Sequence, residues 1–298
     1  MRNFGRVVEV DIETDREKIE IRNLKIVFDV QDQVGDEPAQ GRITIYNLNP
    51  DHRAAVRFEK LKSLNKFGGE LILRAGYINQ IKELYRGTII SAVNTKNGPD
   101  WMTEILLVPE IARLLTAIVT RKQPYATGTP KSSIFFDIVN DLNIPISNPE
   151  KTKIQEILGN AAIKKPWTIF GSAVDVLNKL SKQWKEMVNV RYYGNKVSTL
   201  VVGESVNTVP VKINRGNLVG SVEVIDGGVR FKTQLNGELN LHKLVDVESE
   251  TVDDLTTSGN YVTQNVNHRG DNRQGDFFTS CSCVFPNSEK GIFRSGLQ

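Results

Sequence analysis

The run from Gly41 to Phe58, GRITIYNLNPDHRAAVRF, limits the possible folds more than any other part of the chain. Ile43 and Ile45 alternate with Thr44 and Tyr46, the period of a strand with one buried face. Asn47-Leu48-Asn49-Pro50 then breaks the strand and starts a helix at once. Asn49 suits the N-cap and Pro50 the first helical position. Asp51 sits where the helix dipole favours an anion. Ala54, Ala55, Phe58 and Leu61 recur at helical spacing and define the expected buried face. With the strand-like segments around it, this strand and short helix suit a twisted β-sandwich or partly closed barrel.

The flanking sequence continues in strands. Val8, Val10 and Ile12 alternate, and a second run from Ile19 to Val30 changes parity near Asn23, which predicts a bulge or bend. A polar loop, Asp32 to Gln40, precedes the strand at Arg42 to Tyr46. Glu70 to Tyr77, with Leu71, Leu73 and Ala75 inward, and Leu84 to Asn94 follow. Asn97-Gly98-Pro99-Asp100 predicts a hairpin turn into Trp101 to Val108.

The period changes in the middle third. Ile134, Phe135, Ile138, Val139 and Leu142 predict an amphipathic helix over Ser132 to Leu142, ended by Asn143 and Pro145. Ser172-Ala-Val-Asp175 is a variant capping box for a second helix, with Ala173, Val176 or Leu177, Leu180 and Trp184 buried. A hairpin follows, Val188 to Tyr193 and Val197 to Val202 about Gly194-Asn195. The last third returns to strands: Val209 to Ile213, Leu218 to Ile225, Val229 to Leu235, Leu239 to Val247, then a closing hairpin of Tyr261 to Val266 and Phe277 to Val284 with His268 to Asp271 at its corner. The predicted fold class is β-rich α+β, two tube-like β-barrel or sandwich domains flanking a small α+β module. The boundaries are 1–118, 119–205 and 206–298.

Little chemistry is written in the residues. A net charge of +3 is too weak to argue for nucleic-acid binding through counterion release. With 39% hydrophobic and 24% charged residues, the composition is that of an ordinary globular chain. The N-terminal MRNFGRVVEVDIETD lacks the apolar core of a signal peptide, and no run reaches the ~20 apolar residues of a membrane span. Synthesis and assembly in a cytoplasm, without stable membrane insertion, are expected. No phosphate-binding glycine loop, GxGxxG, His-Glu-x-x-His or Gly-x-Ser-x-Gly element occurs. His52, His242 and His268 are expected at surfaces or corners, Cys281 and Cys283 as reduced, half-buried thiols, and Trp101, Trp167 and Trp184 as core or hinge packing. No catalytic, cofactor or metal residue is expected. One charge pattern is ordered: Val245 and Val247 share one strand face, and Asp246, Glu248 and Glu250 the other. That row reads as a solvated strand face or as a channel lining that repels DNA.

Three stretches in order resemble the baseplate hub proteins of contractile phage tails, which are related in fold to the base of type VI secretion spikes. The first is the unit at Arg42 to Phe58, followed by Leu71-Ile-Leu-Arg-Ala-Gly-Tyr77 and Leu84-Tyr-Arg-Gly-Thr-Ile89. The second is Phe170-Gly-Ser-Ala-Val-Asp-Val-Leu177 to Leu180, feeding the Tyr193-Gly194-Asn195 hairpin. The third is Gly259 to Asp271, then Gly275-Asp-Phe-Phe-Thr279. The resemblance implies a non-enzymatic structural virion protein, a homotrimer joining a sixfold tail tube to a threefold spike. Its implied partners are the tube protein, the spike, other baseplate proteins and the tape measure protein, with DNA passing through unbound. Because no lysozyme-like insert is present, the resemblance leaves cell-wall cutting to another protein. The competing expectation is a peptidoglycan-degrading or host-surface-binding tail protein.

Overall fold

The structure, a computed structural model, describes residues 5–14, 17–33, 40–59, 68–109, 118–120, 124–141, 209–248 and 258–286, with shorter pieces between 146 and 199. The N-terminal strands follow from alternation. β1 (Arg6–Glu13) buries Val8, Val10 and Ile12, and β2 (Lys18–Ile21) buries Ile19 and Ile21. β3 (Ile26–Gln33) buries Ile26, Phe28 and Val30, and β4 (Gln40–Tyr46) buries Ile43 and Ile45. The parity change near Asn23 is a full break: β2 pairs β1, whereas β3 pairs β4.

The turn into α1 (Pro50–Val56) is held from both sides. Asn47 takes φ 57°, and its backbone N–H donates to the Trp101 carbonyl (2.7 Å). Its side chain donates to Asp100 (2.8 Å) and accepts from the Trp101 N–H (3.0 Å). Asn49 caps the helix, its Oδ1 accepting from the His52 N–H at 2.7 Å. The helix is shorter than its apolar spacing suggests. It stops at Val56, which together with Leu48 fills the core. Ala54 stays exposed, Phe58 belongs to the short strand β5 (Phe58–Glu59), and Leu61 lies outside the described residues. Trp101 is a surface residue lying 4.2 Å under the Arg53 guanidinium, not core packing.

β6 (Gly68–Tyr77), the long β7 (Gln80–Asn97) and β8 (Asp100–Val108) complete this half. Asn97 stands opposite Asp100 with Gly98 at φ 59°, so the predicted hairpin turn is present. The antiparallel order is β2-β1-β6-β7-β8-β4-β3. Register shifts at Gly69, Leu84 and Ile90 bend the sheet, as bulges do. Residues of β2 at one end and β3 at the other thereby share one hydrophobic cluster.

The C-terminal strands build a second cluster. β13 (Val211–Ile213) lies parallel to β16 (Leu244–Val247), and β14 (Glu223–Ile225), β15 (Gly228–Gln234) and β18 (Phe277–Val284) run antiparallel. Val229, Phe231, Val245, Tyr261 and both cysteines meet inside it. The two cysteines are fully buried rather than half-buried, because alternation in β18 turns both inward. β16 starts at Leu244, since Leu239 to Lys243 form a turn with His242 at φ 59°.

One strand joins the halves. β17 (Gly259–Asp271) pairs β18 along one edge. Along the other it pairs β16 from Gly259 to Val262 and then β3 from Asn265 to Asp271. The change of partner falls at a bulge at Gln264. The stretch His268 to Asp271 is therefore strand and not corner; the chain reverses between Asp271 and Phe277. At Gly270 a Cβ would come within 2.6 Å of Phe28 and 2.7 Å of Phe277, so only glycine lets these rings pack edge to face at 6.1 Å.

The chain divides into two compact units, Met1–Val108 with Gly203–Gln298, and Pro109–Val202. The second contains α2 (Lys131–Asp141), with Ile134, Phe135, Ile138 and Val139 buried as predicted. It also has two small ladders, β9 (Ile118–Thr120) with β10 (Phe170–Ser172), and β11 (Val190–Tyr193) with β12 (Lys196–Thr199). The predicted hairpin is there, with Tyr193 opposite Lys196. Of the predicted second helix only Val176 is described, helical and buried. Leu142 and Trp184 lie outside the described residues.

Candidate functional site

The face of the shared sheet turned away from both cores is polar across the join between the halves. It arises from alternation: each strand that points Ile, Val, Phe, Thr or Cys inward must point its other residues out. Across the join between halves, Arg230 and Lys232 of β15 stand opposite Ser282 and Ser280 of β18. These stand opposite Asn265 and Asn267 of β17, which in turn face Gln33 and Gln31 of β3. Arg269, Asp29 and Arg42 form the next row, with Thr44 and Glu104 beyond.

The side chains of this face bond mainly to one another. Asn267 donates to Asp29 (2.7 Å), Asn265 and Gln31 both donate to Gln33 Oε1 (3.3 and 3.2 Å), and Arg230 donates to Ser282 (3.3 Å). Arg42 lies 3.4 Å from Glu104, and Arg269 3.4 Å from Asp276. Lys232 sits 4.3 Å over the Phe278 ring. Each cation thus has an anion, hydroxyl or ring beside it, and neutral amides and hydroxyls fill the centre. Such a surface is well hydrated, and where Arg42 and Arg269 sit beside carboxylates it offers a phosphate chain less positive charge to condense on, whereas Arg230 and Lys232 keep theirs.

Asp246 and Glu248 are on the non-core side of the second cluster, with Val245 and Val247 buried behind them. Asp246 is half-buried and Glu248 exposed. Asp246 stands between Lys212 of β13 and Asn260 of β17, so the acidic row has a lysine as its lateral neighbour. Glu250 lies outside the described residues. The sequence reading missed the amide and serine ladder of β3, β17 and β18. Its signal was present in Ser280-Cys-Ser-Cys, where the serines, and not the cysteines, face outward.

The buried thiols are inert. Burial pushes the thiols of Cys281 and Cys283 well up, which keeps them protonated and poorly nucleophilic. His242 and His268 are buried, contrary to the surface placement expected from sequence; alternation in β17 turns His268 inward, and the turn after Leu239 folds His242 in. His52 is half-exposed beside its cap. Among the described residues, no three His, Cys, Asp or Glu side chains gather at metal-binding distance. No described helix is long and apolar enough to cross a membrane.

A family model described as baseplate hub gp41 matches residues 7–283, which includes both halves of the sheet and the unit between them. The chain belongs to that family. The resemblance to tail hubs read from the three sequence stretches is thus borne out, and this hub-family member is a structural component of a phage tail baseplate. The fold agrees. A 43 kDa tail protein of prophage MuSo2 from Shewanella oneidensis superposes with a TM-score of 0.60 at 9% identity, over 93% of this chain and 97% of that one. A tail protein from Neisseria meningitidis MC58 gives 0.58 at 9% identity, over 94% and 96%. The E. coli c3393 protein is a type VI secretion component described as similar to the T4 tail proteins gp27 and gp5. It gives 0.54 at 10% identity, over 93% and 77%. No curated protein matches the chain by sequence.

Proposed function

We propose that this hub protein works as a homotrimer that joins the sixfold tail tube to the threefold spike and surrounds the path of the DNA. The observation that carries this reading is the single sheet laid over two hydrophobic clusters, with β17 belonging to both. One protomer then supplies two halves of that sheet, each over its own cluster, as the tube-like domains at 1–118 and 206–298, and three protomers supply six. That matches a sixfold ring above to a threefold spike below. The intervening module at 119–205 faces the spike or the periphery.

The sheet edges support the same reading. β2 ends the sheet with the ion-paired Lys18 and Glu20, the charged form of a protected edge. β14 ends it with Val224, 70% exposed, and pairs only β15 among the described strands. In a trimer a neighbouring protomer covers that edge. The self-paired polar face and the acidic pair Asp246 and Glu248, with Glu250, form the lining past which DNA slides without specific binding. Tube protein, spike, other baseplate proteins and the tape measure protein are the partners, in the virion, after assembly in the host cytoplasm.

Native mass spectrometry of the chain, alone and mixed with its tube and spike proteins, tests the proposal. A trimer in either sample is expected. A persistent monomer whose pure form clears peptidoglycan in a zymogram favours the cell-wall enzyme instead. For the lining, particles carrying D246K, E248K and E250K together are expected to eject DNA more slowly, and unchanged ejection removes these residues from the channel.

A further inference from the structure

A buried polar joint lies where the two hydrophobic clusters meet. His268 of β17 is 4% exposed. Its Nδ1 is 2.9 Å from Thr279 Oγ1 on β18, and its ring also bonds the backbone of Leu239. Thr279 Oγ1 in turn accepts from the Asn236 N–H at 2.9 Å. The imidazole therefore ties β17 and β18 to the segment 235–240 that leads from β15 towards β16. The ends of that segment belong to different clusters, Leu235 to the first and Leu239 to the second.

The partners select the neutral ring. A carbonyl only accepts, so the nitrogen facing Leu239 carries the hydrogen, and the other accepts from the Thr279 hydroxyl. A second proton would put a charge into this joint with little to compensate it. β18 presents Thr279 and the thiol of Cys281. β3 presents Val30 opposite His268 and, one inward position along, Asp32 opposite Val266. Glu238 of the segment itself is exposed and held 2.6 Å from Lys82. On β17, Arg269 points to the outer face, and Asp271 lies 3.6 Å from Lys25. Burial lowers the His268 pKa to about 4, only partly offset by the Leu239 backbone, and no neighbouring charge contributes.

We propose that this joint is acid-sensitive: protonation of His268 releases the segment 235–240 from β18 and lets the two clusters part. The inference stands apart from the hub reading. The sign follows from linkage. A histidine whose folded pKa lies below its unfolded value near 6.5 lends its full stability above pH 6.5. It loses that stability as the pH falls towards 4, and loses no more below. The span corresponds to a shift of the opening equilibrium of up to about 300-fold.

Hydrogen exchange of the full chain between pH 7 and pH 5, corrected for intrinsic rates, reads the joint directly. Exchange in 235–240 is expected to accelerate at least about tenfold relative to β1 and β6, and H268Q, which cannot titrate, is expected to abolish the acceleration. An unaccelerated segment in the natural protein, or equal acceleration in H268Q, overturns the proposal. Should H268Q not fold, NMR of the histidine-labelled natural protein decides. A His268 ring still neutral at pH 5.5 supports the joint, whereas one titrating near 6.5 overturns it.

Discussion

The two hydrophobic clusters under the shared sheet are built differently. The first has a mainly aliphatic centre: Val8, Val10, Ile12, Ile43, Ile45, Leu71, Leu73, Ile89 and Ile105 are all without exposure, and the rings of Phe28, Tyr77, Tyr85 and Phe277 join them. Most of its strands pair with chain neighbours, β1 with β2, β3 with β4, and β6 with β7 with β8. The second holds two thiols and two aromatic residues, Phe231 and Tyr261, and its strands also bury Thr233, Thr263 and Thr279. Its ladders β13–β16 and β15–β18 join strands that are not chain neighbours, although β14 pairs β15 and β17 pairs both β16 and β18. The first cluster thus rests mainly on apolar burial, with Leu235 and Phe277 of the C-terminal strands completing it, whereas the second also uses side-chain hydrogen bonds satisfied across distant segments. Thr263 accepts from the Lys243 N–H at 2.8 Å, and Asn236 depends on Thr279.

The sharpest way to break this contrast is to trim each interior. L73A is expected to cost about 2–5 kcal/mol in denaturant unfolding, because the strands of β1, β6 and β7 cannot close around the void. C283A is expected to cost about 1–2 kcal/mol, the usual range for a small buried side chain. Equal losses would mean that the second cluster is as tightly packed as the first. Removing the corner cap comes next: N49A is expected to lose about 1 kcal/mol, because the His52 N–H gives up its acceptor.

The outer surface of the first half carries an ion-pair cluster with its own pH signature. Burial pushes the Asp11 carboxyl up, but Arg74 and Arg22 beside it outweigh burial and hold it below the usual carboxylate range. Both arginines are about a third exposed, so solvent screening limits the cluster to about 1 kcal/mol. A depressed carboxyl lends stability above its unfolded pKa and loses it as pH falls through the folded value. The gap between the natural protein and D11N in thermal melts is thus expected to be full at pH 7 and to shrink below about pH 4. A gap that widens on acidification would reverse the sign and count against the pairing. The smallest expected effect is V224K, within about 0.5 kcal/mol for the single chain, because its site is exposed. Its readout is association, and an unchanged oligomeric mass would show that the β14 edge is not an interface.

The strands of both halves were legible wherever one face is apolar, as in Val8-x-Val10-x-Ile12 and Leu71-x-Leu73-x-Ala75. The Asn49 cap and the Asn97–Asp100 turn were legible because each acts within a few residues. The helical face after Ala55 was not, since Phe58 and Leu61 keep helical spacing while β7 recruits Phe58 and Glu59 into a strand. The candidate site was legible only in part. The acidic face of β16 follows from alternation. Its Lys212 neighbour comes from a parallel pairing across more than thirty residues, and no local pattern announces it.

By itself the amino-acid order determined the strand faces, the helical corner and a resemblance that the family match bears out, because period, caps and turns are local properties. Tertiary structure alone decided that β17 serves both clusters, that His268 is buried at their junction, and that amides and serines from β3, β17 and β18 form one polar face. The physical reason is that strand partnership between β3 and β17 is fixed by backbone hydrogen bonds and burial more than two hundred residues apart, and those bonds leave no periodic trace in either segment.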